Sequence, residues 1–193
     1  MNIHRNTLSA FSIIEVLIGI FVFSLGLVSI YALLASSLNV NDYNRNSIIA
    51  SNLAREQIEL FRNIRDTNYK KLQVWNQLEP HTQNFSQIFS PGDYYTLENN
   101  VVSGYVDVEN KWSSVPEWPW EIADMQDIYG LCLNADDIYS YDCAWGEIAA
   151  FYRYLYIEEI SVWSYQITSK VIWYKRWYHE YEIQTIVTDW RRI

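Results

Sequence analysis

The sequence predicts an α+β protein: a long N-terminal helix, transmembrane in its first half and amphipathic in its second, packed on a small antiparallel β-sheet head. Three observations predict it. From Val16 to Asn41 no residue carries a formal charge, and the run Val16 to Leu34 matches the roughly 20 apolar residues that cross a bilayer. Residues 44–66 then carry apolar side chains at helical spacing. The last third alternates in three runs separated by short breaks, as an antiparallel meander does.

The totals agree with this plan. A chain of 193 residues holds one moderate domain besides a membrane helix, or two small ones. With 50% hydrophobic and 17% aromatic residues, general disorder is excluded. The expected boundaries are a short polar N-terminal segment at 1–10, a membrane helix half at 11–35, an amphipathic half at 36–68, and a head at 69–193 with an irregular insertion at about 109–147.

The apolar run is expected to stay in the mature protein, because a secretory signal has a shorter apolar region with a small-residue cleavage motif after it. Here the small residue, Ala10, stands before it. The first ten residues hold Arg5 and no acid. The positive-inside bias then puts the N-terminus in the cytoplasm and the rest of this single-pass chain outside. Gly19, Gly26 and Ser29 fall near one helical face, which either permits close helix approach or reflects how common such residues are there. Glu15 is the odd residue, since an acid deep in a membrane helix costs about 2.5–3.5 kcal/mol and usually has a partner. At the edge of the run the cost falls, and a carboxylate reaching the headgroups is the plainer alternative.

Ala10-Phe11-Ser12-Ile13-Ile14-Glu15 followed by an apolar helix resembles the processing site of type IV prepilins. Their class III leader ends in a small residue, Phe follows, and Glu is fifth after the cut. The resemblance implies that a membrane prepilin peptidase cleaves between Ala10 and Phe11, that the new amine of Phe11 is N-methylated, and that Glu15 attracts the Phe11 amine of a neighbouring subunit during assembly. A carboxylate and an ammonium gain more from pairing where water is scarce. The family prefers Gly at the position of Ala10, so this chain departs there by one methyl. The run also has no proline, unlike many major pilins, which leans toward a minor subunit.

In the amphipathic half, Ala50, Ala54, Ile58 and Phe61 form a stripe joined by Leu53 and Ile64, while Arg55, Glu56, Glu59, Arg62 and Arg65 lie mostly off it. A helix packing one face on a domain reads this way, and Glu59 and Arg62 can pair at three-residue spacing. No Pro or Gly separates the two halves, so residues 11 to about 67 are expected as one helix, about 85 Å long. Residues 53–68 also resemble the helix end of minor pilins of the pilus-modification type.

Residues 69 to about 98 read as loop, interrupted by Pro80, Asn84, Ser90, Pro91 and Gly92, with a first strand expected at 99–108. In the irregular insertion, Cys132 and Cys143 are close in sequence, and outside the cytoplasm such a pair oxidises. A Cys132–Cys143 disulfide is expected, worth about 2–3 kcal/mol in the chain-entropy model. The alternatives are two buried thiols, or a calcium loop through Asp136, Asp137 and Asp142 that lacks EF-hand spacing and its glycine. Two Cys with no nearby His do not make a zinc set.

Phe151 to Ile157 alternates Tyr152, Tyr154 and Tyr156 against Phe151, Arg153, Leu155 and Ile157, which suits a sheet covered on one side. Strands at Tyr165–Trp173 and about Glu180–Thr188 follow. The segments 170–174 and 183–191 are similar to the last two strands of minor pilins, which often finish near Trp-Arg.

From Leu78 onward the chain holds seven basic and eighteen acidic side chains, a balance that disfavours nucleic acid. Lys170, Lys175, Arg176, Arg191 and Arg192 could still form a basic patch, or merely protect a strand edge. The head has only His81 and His179, without a phosphate loop or nucleophile elbow, and Glu158-Glu159 would point to opposite faces. No enzyme and no cofactor is expected. All nine Trp lie at or after Trp75, and packing is the favoured use over sugar stacking. The expected function is a minor type IV pilin, held in the inner, cytoplasmic membrane before assembly and then in an extracellular pilus among other pilins. A pseudopilin of a type II secretion system, or a surface adhesion or DNA-uptake subunit, is the alternative.

Overall fold

The computed structural model describes residues 12–78, 88–100, 105–111, 128–144, 146–175 and 177–192. Among the described residues a long helix, α1 (Ile13–Lys70), is followed by the strands β1 (Tyr94–Asn100), β2 (Tyr105–Lys111), β3 (Gly130–Leu133), β4 (Tyr139–Ser140), β5 (Glu147–Ser161), β6 (Ser164–Lys175) and β7 (Trp177–Thr188). A short 3-10 turn at Trp190–Arg192 ends the described chain. The fold is α+β, as the sequence predicts. The chain divides into two compact units at Arg45/Asn46.

In the first unit the helix starts at Ser12, whose carbonyl accepts from the amides of Glu15 at 3.0 Å and Val16 at 3.2 Å. Serine is a favoured N-cap because it satisfies donors that the first turn leaves unpaired. The helix is long and apolar enough to cross a membrane, with a window of mean hydropathy 2.6 that is not buried within the protein. Its two mid-run serines are satisfied locally: Ser24 Oγ donates to the Ile20 carbonyl at 2.7 Å and Ser29 Oγ to Leu25 at 2.9 Å. Neither serine then needs water in hydrocarbon.

In the second unit the stripe seen in the sequence is the packing face: Ala50, Leu53, Ala54, Ile58, Phe61 and Ile64 are all buried. The helix runs to Lys70, three residues past the expected end, and closes in a Schellman arrangement. Leu72 N donates to Tyr69 O at 3.1 Å and Gln73 N to Asn68 O at 2.8 Å, with Leu72 at φ 59°. Asn68 Nδ2 then ties down the next segment, donating to the carbonyls of Gln77 at 2.8 Å and Trp75 at 3.3 Å.

All pairings in the sheet are antiparallel. The long β5 is central: β6 lies along one edge, with Arg153 opposite Val171 and Leu155 opposite Ser169. The other edge is shared end to end by β3, through Gly130 opposite Tyr152, and β1, through Tyr95 opposite Leu155. β7 continues from β6, and β1–β2 and β3–β4 are hairpins.

Three expectations change. The first strand begins at Tyr94, not near 99, because the Pro91-Gly92 turn, with Gly92 at φ 90°, launches it directly. Residues 99–108 instead bracket a hairpin whose strands are β1 and β2. The stretch 109–147 is not wholly irregular, since β3 and β4 lie in it. And β5 is covered on both faces: Phe151, Leu155 and Ile157 face the helix side, while Tyr152 and Tyr154 pack with Tyr129 and Ile172 on the other. A central strand flanked on both edges can be buried on both faces, and alternation then stops reporting exposure.

Candidate functional site

Ala10 and Phe11, the expected cleavage and methylation positions, lie outside the described residues. Glu15 sits three residues after the Ser12 cap, so Ser12-Ile13-Ile14-Glu15 has the spacing of a capping box. An acid there is favoured by the positive end of the helix dipole. Everything that follows it up to Asn41 is uncharged, and the surrounding apolar side chains, among them Ile14, Ile18 and Val22, are exposed. Gly19 and Gly26 have open space where a Cβ would stand. Chemically this is a helix surface that needs lipid or other helices around it, with one carboxylate at its opening turn.

Cys132 and Cys143 are joined as a disulfide, with Cα atoms 5.4 Å apart. The bridge spans the β3–β4 hairpin, whose turn is built on Asn134: its Oδ1 accepts from the amides of Asp136 at 3.0 Å and Ile138 at 2.9 Å. Gly146 passes so close that a Cβ there would sit 3.0 Å from the Leu133 carbonyl. Asp142 Oδ1 accepts from the Ala144 amide at 3.0 Å. Among the described residues no cluster of His, Cys, Asp or Glu is arranged to hold a metal ion.

The middle of the helix–sheet interface is polar. Arg153 is fully buried; its Nη1 meets Glu56 Oε2 at 2.8 Å and its Nη2 donates to the Leu97 carbonyl at 3.1 Å. Its Nε donates to Tyr141 Oη at 3.2 Å, and Tyr141 Oη in turn donates to the Arg153 carbonyl at 2.7 Å. Gln57, buried on the helix, accepts from Ser169 Oγ at 2.8 Å and donates to Tyr141 Oη at 3.3 Å. Burial alone would push the guanidinium down, but Tyr141 and Glu56 hold it above the usual arginine value. Burial raises Tyr141, against the opposing pull of Arg153. Sequence reading missed this network, although the signal existed: Arg153 shares the phase of Phe151, Leu155 and Ile157, and a buried cation needs an acid on the facing element.

The described basic side chains of the expected patch are engaged separately; Arg176 and the Arg192 side chain lie outside the described residues. Lys170 pairs with Glu180 at 2.8 Å, and that hydrogen bond holds the Glu180 carboxyl below its usual value. Arg191 lies elsewhere, over the Tyr69 ring at 4.3 Å, with its Nη2 donating to the Gln73 carbonyl at 2.9 Å. Lys175 is at the β6–β7 turn. The expected Glu59–Arg62 pair is present at 2.6 Å. His179 stacks on Trp173 at 5.3 Å, and His81 lies outside the described residues. Of the described tryptophans, Trp75 and Trp173 are core, whereas Trp163, Trp177 and Trp190 are 42%, 75% and 56% exposed. Packing therefore accounts for only some of them.

No family model, curated protein or solved structure matches the chain.

Proposed function

We propose that the protein is a minor type IV pilin: a structural and assembly subunit, processed between Ala10 and Phe11, N-methylated at Phe11, and drawn from the membrane into a filament by burial of its apolar helix. The observation that carries this reading is the lone carboxylate of Glu15 in the opening turn of a helix uncharged to Asn41, continuous with a helix that packs an antiparallel head. In a filament the apolar surface is covered by other pilins, and Glu15 meets the amine of the adjacent copy, setting register. The partners are the prepilin peptidase and the other pilins.

The capping-box position of Glu15 gives the test its form. Glu15→Gln keeps an acceptor at the third helical position while removing the charge, so the helix start is preserved. The expected result is normal membrane insertion, with incorporation into sheared filaments falling at least tenfold. Undiminished incorporation of Glu15→Gln overturns the role of the charge, and filament-borne protein that still begins at Met1, read by mass spectrometry, overturns the pilin reading.

A further inference from the structure

The head has two distinct ends, set by how the strands run along α1. At one of them Ala50, near the start of the second unit, shares a core cluster with Phe151 and Trp173. At the other, Tyr69 near the C-terminus of α1 donates a hydrogen bond to Asp189, just past β7. Three features gather at the Ala50 end. β5 starts there at Glu147, the pairing of Leu133 with Glu147 brings the β3–β4 turn beside it, and the β6–β7 hairpin closes there with Lys175 opposite Trp177.

These features carry apolar side chains outward. Trp177 is 75% and Tyr174 50% exposed, and Ile148 and Ile138 are exposed as well. Tyr174 lies opposite Tyr178, so strand alternation puts the tyrosine pair on one face of the hairpin and Trp177 with Lys175 on the other. In water such rings gain nothing by standing at a hairpin tip. Trp and Tyr are at home where an apolar medium meets water, because each has a greasy body and a polar edge.

Exposed apolar groups stand at the opposite end too, Val162 and Trp190 among them, so exposure alone does not choose the partner. Connectivity does. The second unit begins at Asn46, shortly after the run that stays uncharged to Asn41 and is long and apolar enough to cross a membrane. When that run spans a bilayer, the Ala50 end is the one tethered within a few residues of the headgroups. Net charge does not supply the attraction, because exposed Asp136, Asp137 and Glu147 share this end with Lys175. That balance opposes an anionic surface and is compatible with a zwitterionic one.

We propose that the β6–β7 hairpin tip seats Trp177 and the Tyr174–Tyr178 pair in the headgroup layer of a zwitterionic bilayer, holding the head on the membrane before assembly. This contact rests on the membrane reading of the N-terminal run and deepens it by naming the surface of the head that lipid meets.

The test uses the full chain, labelled with 5-fluorotryptophan, in phosphatidylcholine nanodiscs with and without a lipid that carries a nitroxide near its headgroup. The fluorine signals of Trp177 and Trp190 are those lost in Trp177→Phe and Trp190→Phe, and both variants should keep the native thermal midpoint because both side chains are exposed. The nitroxide should broaden the Trp177 signal at least threefold more than that of Trp190. A water-soluble gadolinium chelate should do the reverse, although Trp177, at 75% against 56%, is the more exposed of the two in the protein alone. A chain that elutes apart from the lipid overturns the membrane reading and this contact together. With the chain held in the disc, chelate broadening of Trp177 that equals or exceeds that of Trp190, or nitroxide broadening no greater than that of Trp190, overturns the contact alone.

Discussion

Arg153 on the central strand and Glu56 on the helix, 97 residues apart in the chain, meet at 2.8 Å in the middle of the helix–sheet interface. On one side of them lies the cluster of Ala50, Leu53, Ala54, Phe151 and Trp173, on the other that of Phe61, Ile64, Leu155 and Ile167. Apolar packing alone tolerates sliding, whereas moving the helix by one turn, about 5.4 Å, would part Glu56 from Arg153 and Gln57 from both Ser169 and Tyr141 at once. The network fixes where along α1 the sheet sits.

The first prediction follows from the asymmetry of that pair, with the Arg153 side chain 0% and the Glu56 side chain 44% exposed. Glu56→Leu strands a buried cation, a change that typically costs about 3–5 kcal/mol; water reaching the Glu56 side softens this to about 2–4 kcal/mol. Adding Arg153→Met should restore much of the loss, because the two residues act as a unit. Urea unfolding of the two variants checks both statements.

The helix was legible in the sequence because its signals are local: an uncharged run, then a stripe at Ala50, Ala54, Ile58 and Phe61. The strands β6 and β7 were legible because alternation survives where one face stays wet. What escaped notice was non-local. Tyr152 and Tyr154 looked like an exposed face, and only the packing of Tyr129 and Ile172 over them shows otherwise. Arg153 looked like an ordinary polar strand residue until Glu56 arrived from the helix. At the candidate site, Glu15 stood out by its charge alone.

Leu72 closes the helix in the left-handed region, at φ 59° and 87% exposed. An L-residue pays about 1–2 kcal/mol there, and so exposed a side chain recovers little by packing. Leu72→Gly relieves the strain and loses part of the gain to the entropy of the unfolded glycine, so stability should rise by about 0.5–1 kcal/mol. Leu72→Val, with a β-branched side chain in the same conformation, should lower it. Thermal midpoints of the two variants should move in opposite directions.

The Cys132–Cys143 bridge closes a loop with a sequence separation of 11. In the chain-entropy model this is worth about 2–3 kcal/mol. The double variant Cys132→Ala, Cys143→Ala should lose that amount, and a reducing agent should bring the native protein to nearly the same midpoint while leaving the double variant unmoved. Cys132 is 1% exposed, so alanine rather than serine avoids burying an unpaired hydroxyl.

The core is rich in tyrosines that burial holds neutral: Tyr69 is pushed up to about 12, by burial first and then by its hydrogen bond to Asp189, and Tyr141, Tyr152 and Tyr154 are raised by burial as well. When the folded value lies above the ordinary 10.0, the native state holds its proton longer than the unfolded chain does. The stabilisation is complete below about pH 10 and is lost as pH rises through the folded values. Stability measured by urea unfolding should therefore be flat across neutral pH and decline steeply above pH 10. Tyr69→Phe isolates one contribution. At pH 7 it gives up the 2.9 Å bond to Asp189, about 1 kcal/mol, but phenylalanine has no proton to lose, so its deficit against the native protein should shrink between pH 10 and 12. A deficit that stays constant over that range would mean that Tyr69 titrates alike in the folded and unfolded chain.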